Sequence, residues 1–322
     1  MRYVALAGTN LTVSDVALGT GVLNSRVDAK TSERILDAYV AAGGTFIDTA
    51  SNYGQWAPYW NNQAEEMIGS WMKFHRLRSH LIVSTKGGAR EPRTMVPRLT
   101  VKVIREDLEK SLKTLQTDYV DIYYFHRDNI EKNTVGELMD VMNDFRKEGK
   151  IRYIGVSNWT AARLWEAKAY CEAHDLAFFA VDEIMYNLAC VNQAEIDRIG
   201  QFHANEEILD FHLTTRMPMT AYSAQAYGLF KNALRADFSE SPKNAEAIAM
   251  YGNEVTWKRV QRVRELMALT GYSEIEITLG FLYAQDFQVI PIIGPWRVEE
   301  LVESMAASDC RLTPAQAAFL LS

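Results

Sequence analysis

Cysteine is scarce in this chain. It has three, Cys171, Cys190 and Cys310, scattered and never in a CxxC pair. That odd, dispersed set excludes a disulfide framework and a thiolate metal cluster, and it suits a reducing, cytoplasmic setting. Histidine is also sparse, with six residues and neither an HxH nor an HExxH pattern, so no zinc-hydrolase ligand set is visible. No apolar run approaches the length of a bilayer span. The opening Met1-Arg-Tyr-Val-Ala-Leu-Ala-Gly-Thr-Asn10 has no long apolar core or cleavage pattern. The expectation is therefore a cytoplasmic protein with no membrane partner. Charge of one sign is not in strong excess: net charge is −7 with acids and bases interspersed, which argues against a nucleic-acid surface. There is no low-complexity tract and no linker, so residues 1–322 read as one domain.

What is present is alternation. The segments flanking Gly8-Thr-Asn10 suggest an N-terminal hairpin. Buried-strand patterns then recur near 16–21, 45–48, 81–86, 119–125, 151–156, 178–183, 217–222 and 288–293. Helical patterns lie between them, starting from a capping segment at Thr31 and running on near 63–74, 100–115, 133–147, 160–174, 193–203, 254–269 and 273–285. A final helical pair is expected near 297–306 and 313–321. Eight strands, each followed by helix, predict a (β/α)8 TIM barrel with an N-terminal β-hairpin and extra C-terminal helices. A doubly wound sheet is the alternative. It is weakened because Gly19-Thr-Gly-Val-Leu-Asn24 stands where a Gly-x-Gly-x-x-Gly fingerprint would follow the first strand. The polar stretch 223–253 reads as a lid or cofactor-covering loop.

In such a barrel the chemistry sits at the carboxyl ends of the strands. There the chain places Asp48, with Tyr53 five residues on, then Lys86, then His126 after an aromatic strand. Each has an ordinary structural reading when taken singly. Together, at equivalent positions on successive strands, they form a group that can polarise and protonate a carbonyl. Asp48 would hold Lys86 charged, Lys86 would lower the phenol pKa of Tyr53, and His126 would donate to the substrate oxygen. The set brings no nucleophile and no electrons, so it needs a hydride donor. Later strand ends offer partners for a flat amide-bearing ring: Ser157 and Asn158, Glu183, and Tyr222, whose ring could stack on it or be core.

These residues resemble the aldo-keto reductases. The likeness rests on Phe46-Ile-Asp-Thr-Ala-x-x-Tyr-Gly54, Thr85-Lys86-Gly, His126, Gly155-Val-Ser-Asn158 and Pro291-Ile-Ile-Gly294, in that order and spacing. The resemblance implies NADPH-dependent reduction of an aldehyde or ketone, with Tyr53 as general acid, Asp48 and Lys86 tuning it, and His126 orienting the carbonyl. It implies that Ser157, Asn158 and Glu183 hold the carboxamide and that Tyr222 stacks on the nicotinamide. Thr20, Ser223, Gln225, Gly228, Leu229, Gly294, Trp296, Arg297, Glu300 and Ser304 would contact the rest of the cofactor. Three positions depart from the family pattern. Glu183 stands where Gln is common, Trp296 stands where an arginine often meets the 2′-phosphate, and Glu300 and Ser304 replace Gln and Asn. A carboxylate near the ribose favours a hydroxyl over a phosphate, so NADH stays open beside NADPH.

The substrate is read as a small-molecule carbonyl compound. Trp56, Tyr59, Trp60 and Trp159 would wall its pocket, suiting a sugar-like or cyclic ketone or, equally, any hydrophobic carbonyl compound. Two other classes compete: a nucleotide-binding regulatory or partner subunit with vestigial activity, and a metal-dependent barrel hydrolase. The oligomeric state is not legible.

Overall fold

The computed structural model describes residues 1–55, 63–235, 238 and 244–322. The chain opens with an antiparallel hairpin of β1 (Tyr3–Ala5) and β2 (Thr12–Ser14), with Tyr3 opposite Ser14. Eight strands follow: β3 (Ala17–Gly19), β4 (Phe46–Asp48), β5 (Ile82–Gly87), β6 (Val120–Phe125), β7 (Ile151–Ser157), β8 (Val181–Met185), β9 (Met219–Tyr222) and β10 (Val289–Ile293). All pair in parallel and close into a barrel, with β10 returning to β3 through Ile292 opposite Ala17. Helices α1 (Ala29–Ala41), α2 (Gln63–His75), α3 (Val101–Leu115), α4 (Val135–Lys147) and α5 (Ala161–His174) make the crossovers up to β8. Two helices, α6 (Gln193–Ile199) and α7 (Glu206–Thr215), join β8 to β9. Between β9 and β10 lie α8 (Leu229–Ala233), α9 (Ala245–Tyr251), α10 (Glu254–Thr270) and α11 (Glu274–Tyr283); α12 (Val298–Ala306) and α13 (Pro314–Leu321) end the chain. The fold is the (β/α)8 barrel with hairpin and terminal helices that the alternation predicts.

The two-residue period of a strand sorts its side chains between barrel interior and helix layer. Phe46, Ile122, Tyr124, Val181 and Ile290 form an interior cluster with Leu6, Leu11 and Val13 of the hairpin. The hairpin thus plugs the amino-terminal end of the barrel with apolar residues. The same period turns Asp48, Lys86 and Glu183 inward at the opposite end, so the polar groups collect at the carboxyl-terminal mouth. Ile47, Val83, Phe125 and Ile184, on the other face, join the larger core under the helices. Tyr124 fits inside the barrel because β7 offers Gly155 beside it: a Cβ there would lie 2.4 Å from the ring.

The structure departs from the sequence pattern locally. Helix α1 starts two residues before Thr31: Asp28 is its N-cap, accepting from the Thr31 backbone N–H at 3.0 Å and from its hydroxyl at 2.7 Å. The helix expected over 193–203 stops at Ile199, where Gly200 takes the left-handed conformation (φ 58°). The stretch after it holds a further helix, α7, capped by Asn205 onto Ile208 N–H at 3.0 Å. Segment 223–253 carries α8 and α9 instead of being wholly irregular. No helix among the described residues is long and apolar enough to cross a membrane.

Candidate active site

Lys86 is the hub of the barrel mouth. Its Nζ donates to both Asp48 carboxyl oxygens, at 2.7 and 2.6 Å, and to the Thr49 carbonyl at 3.0 Å. The Tyr53 hydroxyl lies 3.3 Å from the same nitrogen and Glu183 Oε1 lies 3.1 Å from it. Adjacent parallel strands put these groups in reach: Asp48 on β4 is registered with Ser84 on β5, and Ser84 Oγ donates to Asp48 Oδ1 at 2.7 Å. Tyr53 arrives from the turn after β4, and its ring meets His126 edge-on with centroids 6.0 Å apart. Asp48, Tyr53, Lys86 and His126 therefore converge as the sequence predicts, and Glu183 joins them.

Burial would strip Lys86 of its proton, but the Asp48 and Glu183 carboxyls outweigh that and hold the ammonium well above the ordinary lysine range. Tyr53 is pushed up by burial. Lys86 pulls it down, as expected, yet does not win, because Asp48 and Glu183 add to the upward push. The expectation that Lys86 lowers the phenol pKa is corrected to this extent: the ammonium limits a rise that desolvation causes. His126 is driven well below the usual imidazole value by burial and then by the charges of Lys86 and Arg127. It is neutral near pH 7 and can donate a hydrogen bond without bringing a charge. Glu183 is raised well above a normal carboxyl, first by burial and then by Asp48, with Lys86 opposing.

Ser157 Oγ donates to the Glu183 carbonyl at 2.7 Å, and Asn158 Nδ2 donates to Ser157 Oγ at 2.7 Å. The Tyr222 hydroxyl donates to Asn158 Oδ1 at 2.8 Å, which ties its ring to the β7 end. Glu183 Oε2 is buried without a partner, as is His126 Nδ1. An unpartnered buried acceptor beside Ser157 and Asn158 fits the amide NH2 of a nicotinamide. The turn from Ser223 to Gly228 is strained: Ser223, Ala226 and Tyr227 have φ of 52°, 47° and 54° without being glycine. Gln225 in this turn donates to Ser304 Oγ on α12 at 2.9 Å, so two of the expected cofactor residues meet directly. A cleft of about 470 Å³ is lined by Arg26, Val27, Asp28, Thr31, Trp296, Arg297 and Glu300. Trp296 there is 48% exposed. Glu300 is committed to its own loop: it accepts from Trp296 N–H at 2.9 Å and from Arg297 Nη2 at 2.7 Å.

Other expectations fare differently. Thr20 is fully buried, and its hydroxyl donates to the Asp48 carbonyl at 2.9 Å, which fixes β4 and leaves no free proton for a ligand. Leu229 is a core side chain, and Gly294 is exposed. Trp159 is not a pocket wall. It is 1% exposed, stacked on Phe125 with centroids 5.4 Å apart and met edge-on by Phe179. Its position follows Asn158 out of the mouth into the layer beneath the helices. Trp56, Tyr59 and Trp60 lie outside the described residues. Arg26, Arg90 and Arg127 were not singled out in the sequence. Arg127 follows His126 directly, which is a usable signal; Arg26 sits in the β3–α1 connection with nothing around it to mark it.

A closed barrel with this phenol, ammonium, carboxyl and imidazole at successive strand ends defines a carbonyl-reducing oxidoreductase. The chain belongs to the Aldo/keto reductase family, whose model matches residues 15–320. Among similar proteins, Aldo-keto reductase ausK of Aspergillus calidoustus is 28% identical over 92% of this chain and 73% of its own length. The oxidoreductase YrpG of Bacillus subtilis is 28% identical over 97% of this chain and 92% of its own. Protein tas of Escherichia coli is also 28% identical, over 97% and 94%.

Proposed function

We propose that the protein reduces an aldehyde or ketone to an alcohol with NADPH, and that Tyr53 is the proton donor. The observation that carries this reading is Lys86 Nζ held between Asp48 at 2.6 Å and the Tyr53 hydroxyl at 3.3 Å. The reduced nicotinamide, when bound, supplies a hydride to the carbonyl carbon. The chain does the rest. The Tyr53 hydroxyl gives its proton to the carbonyl oxygen, which leaves an alcohol and a phenolate. Lys86 stabilises that phenolate as it forms, and Asp48 keeps Lys86 charged while it does so. Neutral His126 donates to the same oxygen and fixes its direction. Ser157, Asn158 and the unpartnered Glu183 oxygen would hold the carboxamide, with Tyr222 closing one side. Arg26 and Arg297 line the cleft in which a 2′-phosphate would sit, and a phosphate there would compete with Glu300 for the Arg297 guanidinium.

The Tyr53→Phe variant tests the assignment. General acid catalysis contributes about 10²–10⁴-fold, so kcat should fall by at least about a hundredfold. The Kd for NADPH, read from tryptophan quenching, should stay within about twofold. Turnover within tenfold of the parent would remove Tyr53 as the acid.

A further inference from the structure

Two arginines at the barrel mouth meet no carboxylate among the described residues, unlike four others in this protein. Arg78 is paired with Asp121, Arg98 with Asp107, Arg163 with Asp128 and Arg311 with Asp15. Arg127, next to His126 at the end of β6, makes no hydrogen bond or ion pair among the described residues, and its Nη1 is buried without a partner. Arg90, beyond the end of β5, reaches among the described residues only the Ile199 carbonyl at 3.4 Å, its guanidinium lying over Gly200. It lines a hollow of about 230 Å³ with Ser51, Asn52 and Gln55, in the loop that carries Tyr53. The acids of that hollow are occupied. Glu91 accepts from the Arg93 and Thr94 backbone, and Asp107 from Arg98 and Gly88 N–H.

The charge of Arg127 also reaches Arg90. Arg90 is lowered by burial and then by the charge of Arg127, and the same Arg127 charge reaches His126 and Tyr222. Two like charges half withdrawn from water are unfavourable unless an anion joins them. The location says which anion. In the ring of strands, β6 lies diametrically opposite β10, after which come Trp296 and Arg297. A 2′-phosphate held in the cleft after β10 does not serve the β5–β6 side. What reaches that side, beside Tyr53 and His126, is the carbonyl substrate.

We propose that Arg90 and Arg127 form an anion-binding subsite, so that the preferred substrates are carbonyl compounds bearing a carboxylate or phosphate. This rests on the reductase reading above. The guanidinium fork suits either group through charge-assisted pairs. On a chain of net charge −7, a local basic pair is also what draws an anion in.

The test compares matched aldehydes with NADPH: 4-carboxybenzaldehyde against benzaldehyde, and glyceraldehyde 3-phosphate against glyceraldehyde. A hydrogen-bonded ion pair is worth about tenfold or more in affinity, so the parent should favour at least one anionic member by about tenfold in kcat/KM. Which pair shows the preference separates carboxylate from phosphate. In Arg127→Met and Arg90→Met the preference should fall toward unity through a higher KM for the anionic member; Arg127→Lys should keep part of it and covers a failure of the methionine variant to fold. Neutral aldehydes reduced with no preference for their anionic partners would overturn the subsite and leave the reductase intact. A preference that survives both methionine variants, or weaker NADPH binding in place of weaker substrate binding, would overturn it too. If no aldehyde is reduced, the reductase reading fails, and calorimetric titration with 4-carboxybenzaldehyde decides the subsite: binding lost on Arg127→Met keeps it, and binding absent or unchanged ends it.

Discussion

Glu183 shows how one side chain can set the electrostatics of a site. It presents one oxygen to Lys86 at 3.1 Å and leaves the other buried and unpartnered. Burial and Asp48 together make it hold its proton far more tightly than a free glutamate. Between the unfolded value, near about 4.3, and the raised folded value, the folded chain therefore binds a proton that the unfolded chain has lost. Stability falls as pH rises through that window. Glu183→Gln removes the titration, so the variant should gain in Tm over the parent, with the gain growing from pH 5 to pH 8 in thermal melts. It should also tighten NADPH binding if Glu183 faces the carboxamide, at pH values where Glu183 is ionised, since the carboxylate only accepts whereas an amide both accepts and donates there. A Tm difference that does not change with pH would remove the raised carboxyl, and an unchanged Kd would remove the contact. The convergence of Asp48, Tyr53, Lys86 and His126 was legible in the sequence because Asp48, Lys86 and His126 lie at or directly after the ends of recognisable strands and Tyr53 stands in the short loop after the first of them. Trp159 was misplaced because the residue next to Asn158 gives no sign of which way the chain turns. The isolation of Arg127 was not legible at all: a missing partner exists only in three dimensions.

At the scale of elements, every barrel strand was legible, because buried parallel strands read as short β-branched and aromatic runs bounded by polar breaks. Helix α7 was not, although its cap and its apolar spacing are present: Asn205, then Ile208, Phe211 and His212 all buried. A short amphipathic helix right after another merges with it unless Gly200 is recognised as the stop. What holds α7 to the barrel is a polar pair more than a propensity. His212 Nε2 lies 3.2 Å from Asp182 Oδ2 on the outer face of β8, and its Nδ1 lies 2.8 Å from the Met217 carbonyl. Burial raises the Asp182 carboxyl, and His212 partly restores it. Removing the imidazole leaves a fully buried acid with neither oxygen partnered. His212→Leu should then cost about 3 kcal/mol, seen as a lower midpoint in urea unfolding. Asp182→Asn combined with it should recover part of the loss by removing the stranded charge. A single variant as stable as the parent would show that α7 is held by its apolar contacts alone.

At the scale of the whole molecule, the two ends of the barrel do different work. The hairpin closes the amino-terminal end with Leu6, Leu11 and Val13, while Lys86, Asp48 and Glu183 bury their charges together at the mouth. A ligand that bridges the mouth should then act as a missing part of the core and raise the melting temperature by mass action. At a concentration of a hundred times Kd the gain is about 2.7 kcal/mol, or several degrees for a domain of this size. The 2′-phosphate distinguishes the two cofactors. It would sit in the cleft shared by Arg26, Trp296 and Arg297, where Glu300 already faces Arg297 at 2.7 Å. NADPH should therefore raise Tm more than NADH at equal concentration, and Arg297→Ala should bring the two shifts together. Equal shifts in the parent would mean that Glu300 keeps its guanidinium and the cleft reads a ribose hydroxyl. The reduction at the other end of the cofactor would be unaltered, and the chain would be an NADH enzyme.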